Sequence, residues 1–319
     1  MARNRKNKSS RYTNTNPTIK KKSSESSSTY RSFFSMVPAL SMLMAVAAIF
    51  FSFASQEILS SHSKWDNFDG IAKISSEYKV LKVSGHDQTA FTQGLHFHNK
   101  MLVESTGLHG ETLVRIWDPE SGEVVRETPI LDTKYFGEGL TFYQDENGNN
   151  RYIQLTWREQ TAFVYNPTDL SLLSTFEYST KTNEGWGITF DPNEKLFYVS
   201  DGSEYIHVWN LSFEEIRRFE VNFQVPTSEQ GTRKKLRHIN ELEWDPDDGT
   251  ILANVWYQDT IVRIYPKTGQ VVQVYDLSQL HTDRSPDEDC MNGIAYHSKN
   301  KFWITGKLWP KLYLIEVLE

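Results

Sequence analysis

From Tyr78 to Glu319 apolar and polar positions alternate in short runs rich in Val, Ile, Tyr, Phe and Trp. Gly, Asn, Asp or Pro turns break these runs about every eight to twelve residues, a spacing that predicts many short strands and an all-β domain. Upstream the pattern changes. Phe33 to Ala54 runs 22 positions without a charge, long enough to cross a hydrocarbon core of about 30 Å as a single transmembrane helix. Pro38 near one end is tolerable in such a helix. Residues 55–77 are polar with no clear period and read as a stem.

The strand pattern also repeats. Phe91-Thr92-Gln93-Gly94-Leu95-His96-Phe97, Phe136-Gly137-Glu138-Gly139-Leu140-Thr141-Phe142, Glu184-Gly185-Trp186-Gly187-Ile188-Thr189-Phe190, His238-Ile239-Asn240-Glu241-Leu242-Glu243-Trp244 and Cys290-Met291-Asn292-Gly293-Ile294-Ala295-Tyr296 share the form X-Gly-aliphatic-x-aromatic, with Glu241 once in place of the glycine. The X residues Gln93, Glu138, Trp186, Asn240 and Asn292 are 45, 48, 54 and 52 positions apart. A strand-rich period of this length means propeller blades or a solenoid. The fifth repeat holds three strands before Glu319, and Tyr78-Lys79-Val80-Leu81-Lys82-Val83 belongs to no repeat. Pairing the two would cover a free sheet edge. The expectation is a five-bladed β-propeller over 78–319, closed by its N-terminal strand.

Charge separates the leader from this domain. Residues 1–32 carry nine Lys or Arg against Glu25, too polar to bury a core, and are expected to form a disordered basic tail. By the positive-inside bias the tail stays cytosolic and 33–54 acts as a signal anchor. That places the propeller in the lumen of the endoplasmic reticulum or Golgi as a single-pass type II protein of the secretory pathway. A cleaved signal peptide is the alternative, but its apolar core usually spans about 7–15 residues. The chain's net charge is −7; removing the tail's +8 leaves −15 for the rest, a poor host for nucleic acid. The lone Cys290 can form no intrachain disulfide. Asn210-Leu211-Ser212 is a glycan acceptor in a lumenal protein.

Candidate chemistry lies where the repeat is broken. The X residues should ring one mouth of the channel, and the ends of the second strands, Ser105, Trp157, Asp201, Trp256 and Lys307, should rise to the same mouth. Glu138 is the one carboxylate among the X residues; among tryptophans it would be desolvated and its pKa raised, as a general acid/base near neutral pH requires. Tryptophans are otherwise core filling and lysines surface residues. The strand aromatics Phe97, Phe142, Phe190, Trp244 and Tyr296 read as packing between blades. Arg233-Lys234-Lys235-Leu236-Arg237 reads as a solvated loop, and Asp287-Glu288-Asp289 as an acidic loop. No zinc-type spacing, Ser-His-Asp signature or phosphate-binding glycine loop appears.

Phe91-Thr92-Gln93-Gly94-Leu95, Phe136-Gly137-Glu138-Gly139-Leu140, Leu155-Thr156-Trp157, Glu184-Gly185-Trp186-Gly187, Ile239-Asn240-Glu241-Leu242, Ala253-Asn254-Val255-Trp256 and Thr305-Gly306-Lys307-Leu308-Trp309-Pro310 resemble the plant-type glutaminyl cyclases over roughly 78–319. The resemblance implies an ammonia-releasing acyltransferase that forms pyroglutamate on peptides or proteins with N-terminal glutamine. It implies a site lined by Phe91, Gln93, Phe136, Glu138, Trp157, Trp186, Asn240, Trp256 and Lys307, and chemistry that needs no cofactor, with a structural calcium whose ligands are unknown. Glu138 would relay the proton, with Asn240, Lys307 or Gln93 donating to the oxyanion. Two other readings of such a ring are a non-catalytic peptide-binding propeller and a calcium-dependent hydrolase of the lactonase kind. The latter needs several acids around the axis.

Overall fold

The computed structural model describes residues 65, 68, 71–224 and 233–318. The basic tail, the apolar span 33–54 and most of the stem lie outside the described residues. Among the described residues no helix is long and apolar enough to cross a membrane.

The described chain is all-β. Strands β1 (Lys73–Ser75) and β2 (Tyr78–Gly85) precede the first repeat. The first repeat folds as β3 (Thr92–His98), β4 (Met101–Thr106), β5 (Val114–Trp117) and β6 (Val124–Glu127), an antiparallel sheet in sequence order. The second holds β7 (Gly137–Gln144), β8 (Asn150–Thr156), β9 (Thr161–Tyr165) and β10 (Leu172–Glu177). The third holds β11 (Ile188–Asp191), β12 (Leu196–Ser200), β13 (Tyr205–Trp209) and β14 (Glu215–Glu220). After β15 (Asn222–Gln224) and β16 (Arg233–Lys235), the fourth repeat runs through β17 (Ile239–Asp245), β18 (Thr250–Val255), β19 (Thr260–Tyr265) and β20 (Gln270–Asp276). The last comprises β21 (Met291–Ser298), β22 (Lys301–Gly306) and β23 (Lys311–Val317).

Strand β2 pairs antiparallel with β23, from Tyr78 opposite Val317 to Gly85 opposite Lys311. The orphan segment therefore completes the last sheet. Five apolar clusters bind neighbouring sheets, and one of them joins the first repeat's sheet to the last: Leu95, Leu102 and Trp117 pack against Ala295, Trp303 and Leu312. A buried carboxylate strengthens this closure. Glu104 accepts hydrogen bonds from Thr92 Oγ1 at 2.6 Å and Arg115 Nε at 2.8 Å, and its Oε1 lies 3.0 Å from His86 Nε2. Burial pushes its pKa up, but Arg115 and His86 prevail and hold it well below the usual carboxylate range.

The arrangement is propeller-like. Four sheets have the expected four strands, while the fourth repeat's sheet has seven. There β1 and β15 both run parallel to β20, and β16 pairs with β15. The physical reason lies in β20. The outer strands β6, β10 and β14 are largely exposed, whereas β20 is mostly buried and carries Val271, Val272 and Tyr275. Added strands cover that apolar edge. Lys73–Ser75, within the expected stem, thus forms a strand, and Arg233–Lys235 of the expected basic loop is an exposed strand.

The pentad glycines serve close approach of inner strands. A Cβ on Gly94 would lie 2.3 Å from Leu140 N, and one on Gly187 2.2 Å from the Asn240 carbonyl oxygen. Where Glu241 replaces glycine, its carboxyl reaches across the channel: Leu95 N–H donates to Oε1 at 3.3 Å and Ile294 N–H to Oε2 at 3.0 Å. Because the atoms facing Gly187 are backbone, Gly187→Ala is expected to destabilise the fold by about 1–3 kcal/mol, read as a lower urea midpoint. An unchanged midpoint would show that the inner strands can part freely.

Candidate active site

Backbone rungs set the mouth of the channel. Gly107 N–H donates to Phe91 O at 2.8 Å, Trp157 to Phe136 O at 2.9 Å, Trp256 to His238 O at 2.8 Å and Lys307 to Cys290 O at 3.0 Å. Each rung joins the residue two before an X position to the residue just beyond a second strand, so both rows reach one level. The first sheet presents Gly107 in that row. Ser105, expected there, is buried two residues deeper, where Oγ donates to the Glu138 carbonyl and accepts from Gln154 Nε2. Asp201 is turned into an adjoining groove, accepting hydrogen bonds from Thr182 N and Ser203 N.

All nine side chains expected from the sequence meet in one cavity of about 240 Å³: Phe91, Gln93, Phe136, Glu138, Trp157, Trp186, Asn240, Trp256 and Lys307, joined by Tyr257 and Asp289. The aromatics touch edge to face, Phe91 on Phe136 with centroids 6.1 Å apart and Trp186 on Trp256 at 5.4 Å. Glycines make room for two of the rings. A Cβ on Gly107 would sit 2.6 Å from Phe136 Cε1, and one on Gly202 2.6 Å from Trp186 Cζ2.

Glu138 is buried, and Gln93 Nε2 donates to its Oε1 at 3.1 Å. Gln93 is oriented in turn by Asn292, whose Nδ2 donates to Gln93 Oε1 at 3.2 Å and to Thr92 O at 3.0 Å. Burial raises the Glu138 pKa well above the usual carboxylate value; Lys307 pulls it down, and the charges of Glu184 and Glu159 push it further up. The buried Lys307 ammonium lies 4.8 Å from the Phe91 ring centroid. Asn240 is buried and lines the same cavity, and its backbone carbonyl accepts from Ser200 Oγ at 2.6 Å.

Glu184 was not among the residues singled out by sequence. Its Oε2 accepts hydrogen bonds from both Trp157 Nε1, at 2.9 Å, and Trp186 Nε1, at 3.0 Å. Its Oε1 accepts from Arg158 Nε at 2.9 Å, and that guanidinium stacks on Trp157 3.6 Å from the ring centroid. One carboxylate therefore fixes two walls of the cavity. The repeat register held the signal: Glu184 precedes its X residue by two positions, as Phe91 and Phe136 do. Asn292, expected at the mouth with the other X residues, does not line the cavity but is fully buried behind Gln93, and Asp289 of the expected acidic loop does line it; nothing local in sequence marks Tyr257.

A larger cavity of about 440 Å³ opens among Phe97, Phe142, Phe190, Trp244 and Tyr296. These are the inter-sheet aromatics at the far ends of the pentads, and Glu243 beside them accepts the Tyr296 N–H at 2.8 Å. Among the described residues no group of three or more His, Cys, Asp or Glu is placed to hold a metal ion.

The glutamine cyclotransferase family matches the chain over residues 50–317. The match starts upstream of the propeller segment, within the last residues of the apolar span. The chain is 34% identical over 296 residues to the glutaminyl-peptide cyclotransferase of Arabidopsis thaliana, covering 90% of this chain and 84% of that protein. The crystal structure of Myxococcus xanthus glutaminyl cyclase aligns with a TM-score of 0.63 at 28% identity, over 79% of this chain and 100% of that one. A ring of sheets gathering a buried acid, a lysine and three indoles, together with these matches, places the chain in the glutamine cyclotransferase family.

Proposed function

We infer that the protein is a glutaminyl-peptide cyclotransferase: it converts the N-terminal glutamine of peptides to pyroglutamate and releases ammonia. The observation that carries this reading is the convergence of Glu138, Lys307, Asn240 and three indoles in one small cavity. In the reaction the neutral α-amine attacks the side-chain amide carbon, giving a tetrahedral oxyanion. The bond to the amide nitrogen then breaks, and that nitrogen leaves as ammonia carrying the proton lost by the amine. The indoles hold the substrate curled, which removes an entropic cost. Glu138 moves the proton, taking it from the amine nitrogen and passing it to the leaving nitrogen. Lys307 Nζ and the Asn240 amide donate to the oxyanion. Gln93 plays a different part, since its amide nitrogen is directed at Glu138 and fixes that carboxyl.

The test is a coupled ammonia assay on Gln-Ala, with the product checked by mass for loss of one ammonia. Peptide binding without ammonia release would favour the non-catalytic reading. Loss of activity on chelation would favour a calcium-dependent one. A structural calcium would show as chelator-sensitive melting with activity on the folded enzyme unchanged.

The same reading extends to architecture and location. The seven-stranded sheet counts as an enlarged blade, making five. Residues 33–54 anchor the protein in the endoplasmic reticulum or Golgi membrane, with the tail cytosolic and Asn210 glycosylated in the lumen. The side chain of Asn210 lies in the β13–β14 turn, 3.0 Å from Glu214. Protection of the propeller from protease in sealed microsomes, and a mobility shift on glycosidase treatment, test these assignments.

A further inference from the structure

The 240 Å³ cavity is smaller than the roughly 300–1,000 Å³ of ordinary small-molecule pockets. It suits one glutaminyl residue, so the rest of a peptide must leave it. A groove of about 520 Å³ shares Trp186 and Trp256 with the cavity and continues over Thr182, Gly202 and Ser203 to Lys181, Glu204 and Arg237. Its charges are unevenly presented. Glu204 is the meeting point of three cations: Lys181 Nζ at 3.1 Å, Arg237 at 3.3 Å and Lys235 Nζ at 3.9 Å. The Glu204 side chain is 6% exposed, whereas those of Lys181, Lys235 and Arg237 are 38%, 52% and 65% exposed. Lys235 is neutralised a second time by Glu220 at 2.5 Å. The groove's other carboxylates are engaged: Asp201 by His207, Ser203 and Thr182, and Glu184 by two indoles and Arg158. The groove is lined by two cations, Lys181 and Arg237, and three carboxylates, Glu184, Asp201 and Glu204, and the two cations are the charged groups it presents most openly to solvent.

We propose that this groove is a subsite for the residues following the N-terminal glutamine and that it favours a carboxylate among the first few of them. The proposal rests on the cyclotransferase reading. Lys181 and Arg237 are partly exposed, so each acts weakly and is screened by salt. The expected preference is about 3- to 10-fold in kcat/KM.

The test compares C-terminally amidated Gln-Ala-Glu-Ala, Gln-Ala-Ala-Ala and Gln-Ala-Lys-Ala with the dipeptide Gln-Ala, by ammonia release at low and high salt. The expected order is glutamyl, then alanyl, then lysyl peptide, with the spread shrinking as salt rises. In Arg237→Gln, and separately in Lys181→Ala, the glutamyl-to-lysyl ratio is expected to fall towards one; the ratio is internal, so reduced yield of folded enzyme does not distort it. Turnover of Gln-Ala with equal kcat/KM for the three longer peptides would overturn the subsite alone. Absence of ammonia from every peptide would overturn the cyclotransferase reading and the subsite with it.

Discussion

Replacing Glu138 by Gln is expected to lower kcat on Gln-Ala by about 10²- to 10⁴-fold, the usual worth of a positioned acid/base. The carboxyl is buried, its pKa is raised first by burial, and Gln93 holds it in place. The substitution keeps an oxygen for the Gln93 N–H and removes the proton relay. Stability supplies the control. A carboxyl whose folded pKa is raised above its unfolded value contributes stability below the unfolded value, and that contribution is lost as pH rises through the folded one. Glu138→Gln has no such loss, so it is expected to melt at or above the wild-type temperature, with a gap that widens as pH increases. Weak activity in a variant that melts higher cannot be ascribed to unfolding. Turnover close to wild type would remove Glu138 from the mechanism.

Glu184→Ala is expected to lower kcat/KM about 100-fold, although Glu184 is assigned no proton transfer. The warrant is geometric: both indole N–H groups end on one oxygen, and a misplacement of about 1 Å in a positioning group can cost about 10² in rate. Hydrogen bonds to a charged group contribute about 1.5–3 kcal/mol each, enough to let two walls swing when both are lost. Glu184→Gln separates placement from charge. Its amide oxygen still accepts from the indoles, so most activity should return. It is neutral, however, and the Glu184 charge is one of the causes raising the Glu138 pKa. The acid limb of the kcat/KM profile should therefore move to lower pH in Glu184→Gln, an effect that packing alone would not produce. Wild-type kcat/KM in Glu184→Ala would show that the indoles are held by packing, and an unmoved acid limb in Glu184→Gln would refute the charge coupling.

Much of this was legible because propellers write their geometry as a period. The pentad marks each inner strand, and position within it predicts which end of the channel a residue meets; hence Gln93, Glu138, Trp186 and Asn240 could be grouped although they are far apart in sequence. The same register placed Phe97, Phe142, Phe190, Trp244 and Tyr296 between sheets, and left residues 78–83 to complete the last one. It failed where strand lengths differ. Ser105 was set at the mouth, but β4 runs to Thr106 and the rung falls on Gly107. Lys73–Ser75 and Arg233–Lys235 carried no strand signal because three-residue edge strands answer to the neighbour they cover rather than to their own alternation.

Phe91 and Phe136 joined the site through the family resemblance; the pattern of the sequence by itself determined the repeat, the all-β character, the pairing of first and last strands and the places of Gln93, Glu138, Trp157, Trp186, Asn240, Trp256 and Lys307 in the cavity. These follow from alternation and spacing, which the backbone converts directly into strands and levels. Only the tertiary structure decided what each polar group does once there. It turned Gln93 onto Glu138, put Glu184 under two indoles and exposed the lysine and arginine around Glu204 while burying the carboxylate itself. Hydrogen-bond direction and desolvation depend on contacts between different sheets, within a few ångströms, and spacing along a chain carries no information at that scale.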